Sequence, residues 1–294
     1  MTNQGPGVCA VTGASGYVGS IITQALRAHM PVIGMVRNPV SGADIAWSLE
    51  SSRDIGETLR KHNVKTLVHA AWDMQATSLH EMEQSCVRGS AALFDAARRS
   101  GVERIVFIST LSAFEGCRSA YGRTKLSVEK MLSDDANVIF RPGHVFGANP
   151  GGVFGSIQRQ VRTSRVLPII GSGRAPQYML HEKTLSEAII RAVSGNFDHM
   201  RGAPITLAHP TPWPFRDLVR SIAAAEGREV TLAPVPWPLL YGGIRAGEAL
   251  GLKLPFRSDS VISFVYSNRE PDFKLLHALG IQPIPYAPQE SAAG

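Results

Sequence analysis

Hydrophobic and polar positions along the first half of the chain follow two alternating rhythms. Val8-Cys-Ala-Val11 is a short unbroken apolar run, the pattern of a strand buried on both faces. Directly after it, Val18, Ile21, Ile22, Ala25 and Leu26 recur at helical spacing. The pairing then repeats. Pro31–Val36, Ala43–Trp47, Lys65–Ala71, Glu103–Ser109 and Asn137–Arg141 read as further strands, with Val106-Phe-Ile108 buried on both faces. Between them, helices are predicted over Asp54–His62, with Asp54 as N-cap, over one long stretch within Ser78–Ser100 that Gly101 closes, and over Tyr121–Leu132. Strands alternating with helices predict an α/β fold, a Rossmann-type doubly wound parallel sheet.

The texture changes at Pro142. Prolines and glycines multiply, and Pro142–Gly155 reads as loop. Glu182–Val193, Phe215–Glu226 and Pro238–Leu250 read as helices, and Ile205–Ala208 and Val230–Ala233 as short strands. The expectation is a sheet unit over 1–141, with some later segments returning to it. Residues 142–294 would mainly form a smaller α/β lobe over the carboxyl edge of the sheet, where such folds bind ligands. Met1–Gly7 and Pro288–Gly294 read as frayed ends.

The junction between the first strand and its helix carries the first chemical signal. Gly13, Gly16 and Gly19 recur at three-residue spacing in Thr12-Gly-Ala-Ser-Gly-Tyr-Val-Gly19. A strand, a glycine turn and a helix N-terminus together aim backbone N–H groups and a positive dipole end at a pyrophosphate. Gly13 would make the tight turn, Gly16 would let the backbone approach the phosphates, and Gly19 would let the helix pack closely. The second strand ends at Arg37, with no acid adjacent. An acid there binds the free ribose hydroxyls of NAD, whereas an arginine accommodates the 2′-phosphate of NADP. Arg37 therefore favours NADP(H), with NAD(H) as the alternative.

Composition narrows the classes. The 294 residues are 44% hydrophobic and 18% charged, enough for one large α/β unit with an appended lobe. The net charge of +6 is scattered rather than blocked, which argues against a nucleic-acid partner. Cys9, Cys86 and Cys117 are far apart, fitting a reducing compartment and no metal site. No run of about 20 apolar residues exists to span a membrane, and no signal peptide is visible, so a cytoplasmic protein is expected.

Tyr121-Gly-Arg-Thr-Lys125 places a phenol and an ammonium four residues apart, on one helical face. A lysine cation near a phenol stabilises the phenolate and lowers its pKa, so the tyrosine can exchange a proton with a carbonyl or hydroxyl oxygen. Thr110 and Ser112 sit just past the fifth strand, where a hydroxyl can hydrogen-bond the same substrate oxygen.

Five segments, in order, resemble the signatures of the extended short-chain dehydrogenase/reductases, the NAD-dependent epimerase/dehydratase family. They are Thr12–Gly19, Val68-His-Ala-Ala71, Phe107-Ile-Ser-Thr110, Tyr121–Lys125 and Arg141-Pro-Gly-His-Val-Phe-Gly147. The resemblance implies that Gly13, Gly16 and Gly19 hold the cofactor's pyrophosphate, with Ser15, Tyr17 and Val18 also in the cofactor site. Arg37, Ala70, Ala71 and Pro142 would line the rest of the cofactor. Thr110 falls on the catalytic Ser/Thr position, with Ser112 as a second candidate. Tyr121 would be the acid/base, and Lys125 would bind the nicotinamide ribose and tune Tyr121. The resemblance also implies a homodimer through the helices of Ser78–Ser100 and Tyr121–Leu132.

Departures from the family pattern bear on the substrate. Cys86 stands where the family usually has Asn, Ser48-Leu49 replaces the usual Asp-Leu, Trp72-Asp73 follows Ala71, and the segment from Thr110 to Tyr121 is short. His69 reads as a core histidine. His144 and Arg174 are candidate substrate contacts, and Arg174, Arg257 and Arg269 are candidates to clamp a nucleotide diphosphate. The leading expectation is an NADP(H)-preferring keto-sugar reductase acting on a nucleotide sugar. The alternatives are a nucleotide-sugar epimerase with tightly held NAD, a reductase of a non-sugar metabolite, and a non-catalytic NADP sensor.

Overall fold

A computed structural model describes residues 7–288 apart from 41, 43, 52–54, 134–136, 201, 253 and 255. Ala43 and the expected N-cap Asp54 thus lie outside the described residues, as do most of the expected frayed ends. The chain forms β1 (Val8–Thr12), α1 (Tyr17–Arg27), β2 (Val32–Val36), β3 (Asp44–Ala46), α2 (Gly56–Lys61) and β4 (Val64–His69). Next come α3 (Leu79–Met82), a π-helical turn (Glu83–Val87), α4 (Arg88–Arg99), β5 (Arg104–Ile108), α5 (Ala120–Glu129) and β6 (Val138–Pro142). The second half contains β7 (His144–Phe146), α6 (Gly152–Thr163), β8 (Val166–Ile170), β9 (Pro176–Gln177), β10 (Met179–His181), α7 (Glu182–Val193) and β11 (Pro204–Leu207). The last elements are β12 (Trp213–Pro214), α8 (Phe215–Ala225), β13 (Thr231–Val235), α9 (Trp237–Ala249), α10 (Ser258–Val265) and α11 (Lys274–Ala278).

Seven strands make one sheet in the order β11-β6-β5-β4-β1-β2-β3, and every pairing in it is parallel. Successive residues of each strand feed opposite cores, as the period of two requires. Val11, Val68, Val106 and Ile108 join one core with residues of α1 and α7. Ala10, Leu67, Ile105 and Phe107 join the other with residues of α2, α4 and α5. This is the Rossmann-type architecture that the alternating pattern predicts.

Two local expectations change. The single helix over 78–100 is interrupted: α3 starts with a capping box between Ser78 and Glu81, and the π-helical turn at Glu83–Val87 separates it from α4. Such a turn is invisible in the hydrophobic period, because it shifts the phase by one residue. Of the residues beyond 141, β11 pairs with β6 at the sheet edge and α7 packs on α1. Part of the stretch read as loop is helix, α6, whose Phe154, Ile157 and Val161 enter a third core with Leu218, Ile222 and Tyr286.

The sheet changes direction between β1 and β4. The chain runs from β1 outward to β3, then returns to place β4 on β1's other side. Such a switch point opens a crevice at the carboxyl ends of the strands.

Candidate functional site

The crevice is floored by the turn after β1. Gly13 has a φ of +68°, in the left-handed region. A Cβ on Gly13 would lie 2.9 Å from the backbone of Ala71, and one on Gly19 would lie 2.0 Å from the Gly13 carbonyl oxygen. Neither position accepts a side chain. Gly16 caps α1 without any side-chain hydrogen bond, so no side chain competes for the N–H groups of the first turn. Bare backbone at a positive helix end fits the pyrophosphate of a dinucleotide. Ser15 and Gly16 are exposed on this turn, and Tyr17 and Val18 are half-buried in the first turn of α1. The Tyr17 hydroxyl donates to Val145 O at 3.4 Å. Arg37 is exposed just past β2, and Ala70 and Ala71 are half-buried just past β4. Pro142 ends β6 and accepts the Leu111 N–H at 3.3 Å.

Thr12 and His69, which carried no role in the sequence beyond the core, tie β1 to the cofactor wall. Thr12 Oγ1 accepts the N–H groups of Ala70 and Ala71, both at 3.1 Å, and lies 2.8 Å from His69 Nδ1. Two accepted bonds occupy both lone pairs of the hydroxyl, so its proton is donated to Nδ1. His69 is then the Nε2–H tautomer and donates to Ser90 Oγ at 2.9 Å. The ring stacks on Phe107, with centroids 5.6 Å apart. Burial, and then the Lys125 charge, push the His69 pKa down to about 3. The native imidazole therefore stays neutral where the unfolded one, near 6.5, takes a proton. Native stability is full above the unfolded value and falls as pH drops below it, by about 1.4 kcal/mol per pH unit from this group. Urea midpoints at pH 7 and pH 5 should show that loss in the wild type and a shallower slope in His69→Gln. Equal slopes would show that His69 does not set the loss.

The second cluster sits at the carboxyl end of β5. The side chains of Thr110 and Tyr121 are hydrogen-bonded. Lys125 is buried, and its Nζ donates to Ile108 O at 2.6 Å. Its ammonium lies 4.0 Å from the Trp72 ring centroid and 4.7 Å from that of Phe107, but 6.0 Å from that of Tyr121. The Trp72 and Tyr121 rings stand T-shaped, with centroids 6.1 Å apart. The expected lowering of the phenol's pKa is reversed among the protein's own groups. Burial pushes Tyr121 up to about 12, against the lowering effect of its bond from Thr110. Burial likewise pushes Lys125 down to about 7, which weakens it as a cation. Tyr121 is thus a protonated donor at neutral pH.

Comparison with known proteins now decides the family. The profile of the NAD dependent epimerase/dehydratase family matches residues 9–199. The chain belongs to that family. The ceramide reductase of Caulobacter vibrioides is 28% identical over 181 residues, covering 58% of this chain and 56% of that protein. The UDP-glucose 4-epimerase of Vibrio cholerae is 25% identical over 263 residues, covering 77% and 78%. The structure of a UDP-glucose 4-epimerase from Thermus thermophilus with NAD superposes with a TM-score of 0.71 at 17% identity, covering 97% and 96%. The protein is therefore an enzyme of the extended short-chain dehydrogenase/reductase type.

Against that family's pattern, the structure sorts the remaining candidates. Cys86, in the π-helical turn, is buried and accepts the Asp73 N–H at 3.3 Å. Burial pushes its thiol pKa up, so it stays a thiol and a poor substitute for an amide. The Ser112 hydroxyl accepts from Ser263 of α10 at 2.9 Å, whereas Thr110 faces Tyr121. His144 lies 2.9 Å from Gln177 Oε1 and is pushed toward neutrality by burial. Arg174 and Arg269 are exposed, and Arg257 is hydrogen-bonded to the Ala76 carbonyl. Asp259 of α10 is a site residue that the sequence does not reveal: its carboxylate accepts the N–H groups of Ala120 and Tyr121 at 2.7 and 3.0 Å. It caps the helix that carries Tyr121 from 138 residues away. No local signal marks it.

Proposed function

We propose that the protein is an NADP(H)-preferring reductase that delivers a proton and a hydride to a keto carbon, most simply of a nucleotide sugar. The observation that carries this reading is the Thr110–Tyr121 hydroxyl pair, with Tyr121 held protonated. A carbonyl being reduced needs a proton donor on its oxygen, and a phenol that keeps its proton at neutral pH supplies one. Tyr121 Oη would give its proton to that oxygen, and Thr110 Oγ1 would hold Oη and the oxygen in line. Lys125, anchored on Ile108 O beside Trp72, would hold the nicotinamide ribose. Gly13, Gly16 and Gly19 would hold the pyrophosphate, and Arg37 a 2′-phosphate. The bound nicotinamide would supply the hydride. UDP-glucose 4-epimerases among the relatives support the nucleotide-sugar substrate.

A second reading, a reductase of a non-sugar substrate, is favoured by one observation. Arg257, a candidate diphosphate clamp, is committed to the Ala76 carbonyl, and ceramide reductase is a relative. Fluorescence titration with NADPH and NADH, after testing the purified protein for retained nucleotide, separates the options. Exchangeable NADPH with the higher affinity is expected, and Arg37→Asp should weaken it by about ten- to a hundredfold, as the loss of a charge-assisted phosphate contact implies. Tightly retained NAD would instead mean an epimerase, and binding of neither would sink the whole proposal.

A further inference from the structure

We propose that Trp72 is a positioning residue of this active site: its indole face, latched in place through Cys86, holds the Lys125 ammonium for the cofactor. This role rests on the reading of Lys125 as the group that holds the nicotinamide ribose. Lys125 enters a dry site with few polar partners. Its Nζ donates to Ile108 O, which uses one of the ammonium's three protons. Glu129, one turn further along α5, is spent on Arg141 and on the Ser109 hydroxyl. The ammonium is flanked instead by two rings, with centroids at 4.0 Å for Trp72 and 4.7 Å for Phe107. Both fall within the roughly 6 Å over which a ring face attracts a cation, and indole is the strongest such face. These faces favour the charged form, against the burial that pushes Lys125 down to about 7. A carbonyl and two ring faces together fix the place of the ammonium.

Phe107 is fixed within β5, but Trp72 lies past the end of β4, in a segment without regular structure. Other contacts must hold its ring. The next residue, Asp73, gives its N–H to Cys86 Sγ at 3.3 Å, and Cys86 is buried in the π-helical turn. The indole stands T-shaped to the Tyr121 ring at 6.1 Å and tilted to Phe107 at 6.4 Å. Trp72 thus touches both members of the Tyr121–Lys125 pair. Its Nε1–H, by contrast, is buried and has no partner among the described residues. An unpaired buried donor is costly, so hydrogen bonding does not account for a tryptophan here, whereas the ring face does. Trp72-Asp73 and Cys86, which the sequence marks as separate departures from the family pattern, act as one device: the thiol anchors the segment that carries the indole.

The test is a double-mutant cycle on NADPH affinity, measured by calorimetry. Trp72→Leu is expected to weaken binding by about tenfold, the scale of a desolvated cation–π contact. Trp72→Phe keeps a ring face and strands no hydrogen-bond partner, so its loss should be about threefold or less. In a Lys125→Met background, Trp72→Leu should cost nothing further. A residue that only packs would cost the same in both backgrounds. Equal losses in the two backgrounds, or wild-type affinity in Trp72→Leu, would overturn the proposal and leave Lys125 in its role. Unchanged NADPH affinity in Lys125→Met would instead remove that role, and the proposal with it. If Trp72→Leu does not fold, Cys86→Val takes its place, since it removes the acceptor of the Asp73 N–H and keeps the indole. A loss of affinity that vanishes beside Lys125→Met is then expected, and no loss would overturn the proposal.

Discussion

Tyr121→Phe is expected to lower turnover by about 10²- to 10⁴-fold, the usual contribution of a positioned general acid, with NADPH affinity unchanged. The substitution removes one oxygen and keeps the ring in its T-shaped contact with Trp72. It leaves the capping of α5 by Asp259 and Ser119 intact, because those bonds use backbone N–H groups of residues 120–122. What is lost is the proton donor and its bond with Thr110. Steady-state rates in the reductive direction, with NADPH affinity measured separately, check the result. Thr110→Ala should give a smaller loss, since it removes alignment but not the proton. Turnover that survives in Tyr121→Phe would exclude Tyr121 as the proton donor and move the acid to another group.

Glu129→Ala is expected to cost about 3–5 kcal/mol of folding stability, toward the lower end because Arg141 stays one-fifth exposed. The Glu129 side chain is 5% exposed. It accepts from Arg141 Nε at 2.9 and 3.2 Å and from Nη2 at 2.5 Å, and it also accepts the Ser109 hydroxyl. Removing it strands a guanidinium and a buried hydroxyl between α5 and the carboxyl ends of β5 and β6. Much of the cost is the unpaired cation rather than the net worth of the pair. Glu129→Leu combined with Arg141→Met should therefore recover most of the loss. Urea midpoints of the single and double variants measure both numbers. A single variant within about 1 kcal/mol of wild type would show that solvent reaches Arg141 easily. Because Ser109 precedes Thr110, the single variant should also be less active than its remaining folded fraction predicts.

Much of the site was legible in the chain because its parts are local. The Gly13–Gly16–Gly19 spacing encodes a turn whose tightness the structure expresses as backbone approaches of 2.0 and 2.9 Å to an added Cβ. The Tyr121–Lys125 spacing encodes one helical face. What stayed hidden depends on partners distant in sequence. Asp259 caps α5 only because α10 returns to it, and Thr12 meets His69 and Ser90 only across the crossover from β1 to β4. The π-helical turn under Cys86 alters the phase of a helix without altering its apolar count.

The proton chemistry divides the same way. The residues alone determined that a phenol, a hydroxyl and an ammonium would share one end of the sheet, since strand ends and helical spacing are local properties of a polypeptide. Their ionisation was decided by tertiary burial. Lys125 is enclosed by Trp72 and Phe107 and bound to Ile108 O, so desolvation drives Tyr121 up to about 12 and Lys125 down to about 7. Desolvation is a sum over everything packed around a group, and only the folded chain supplies that sum.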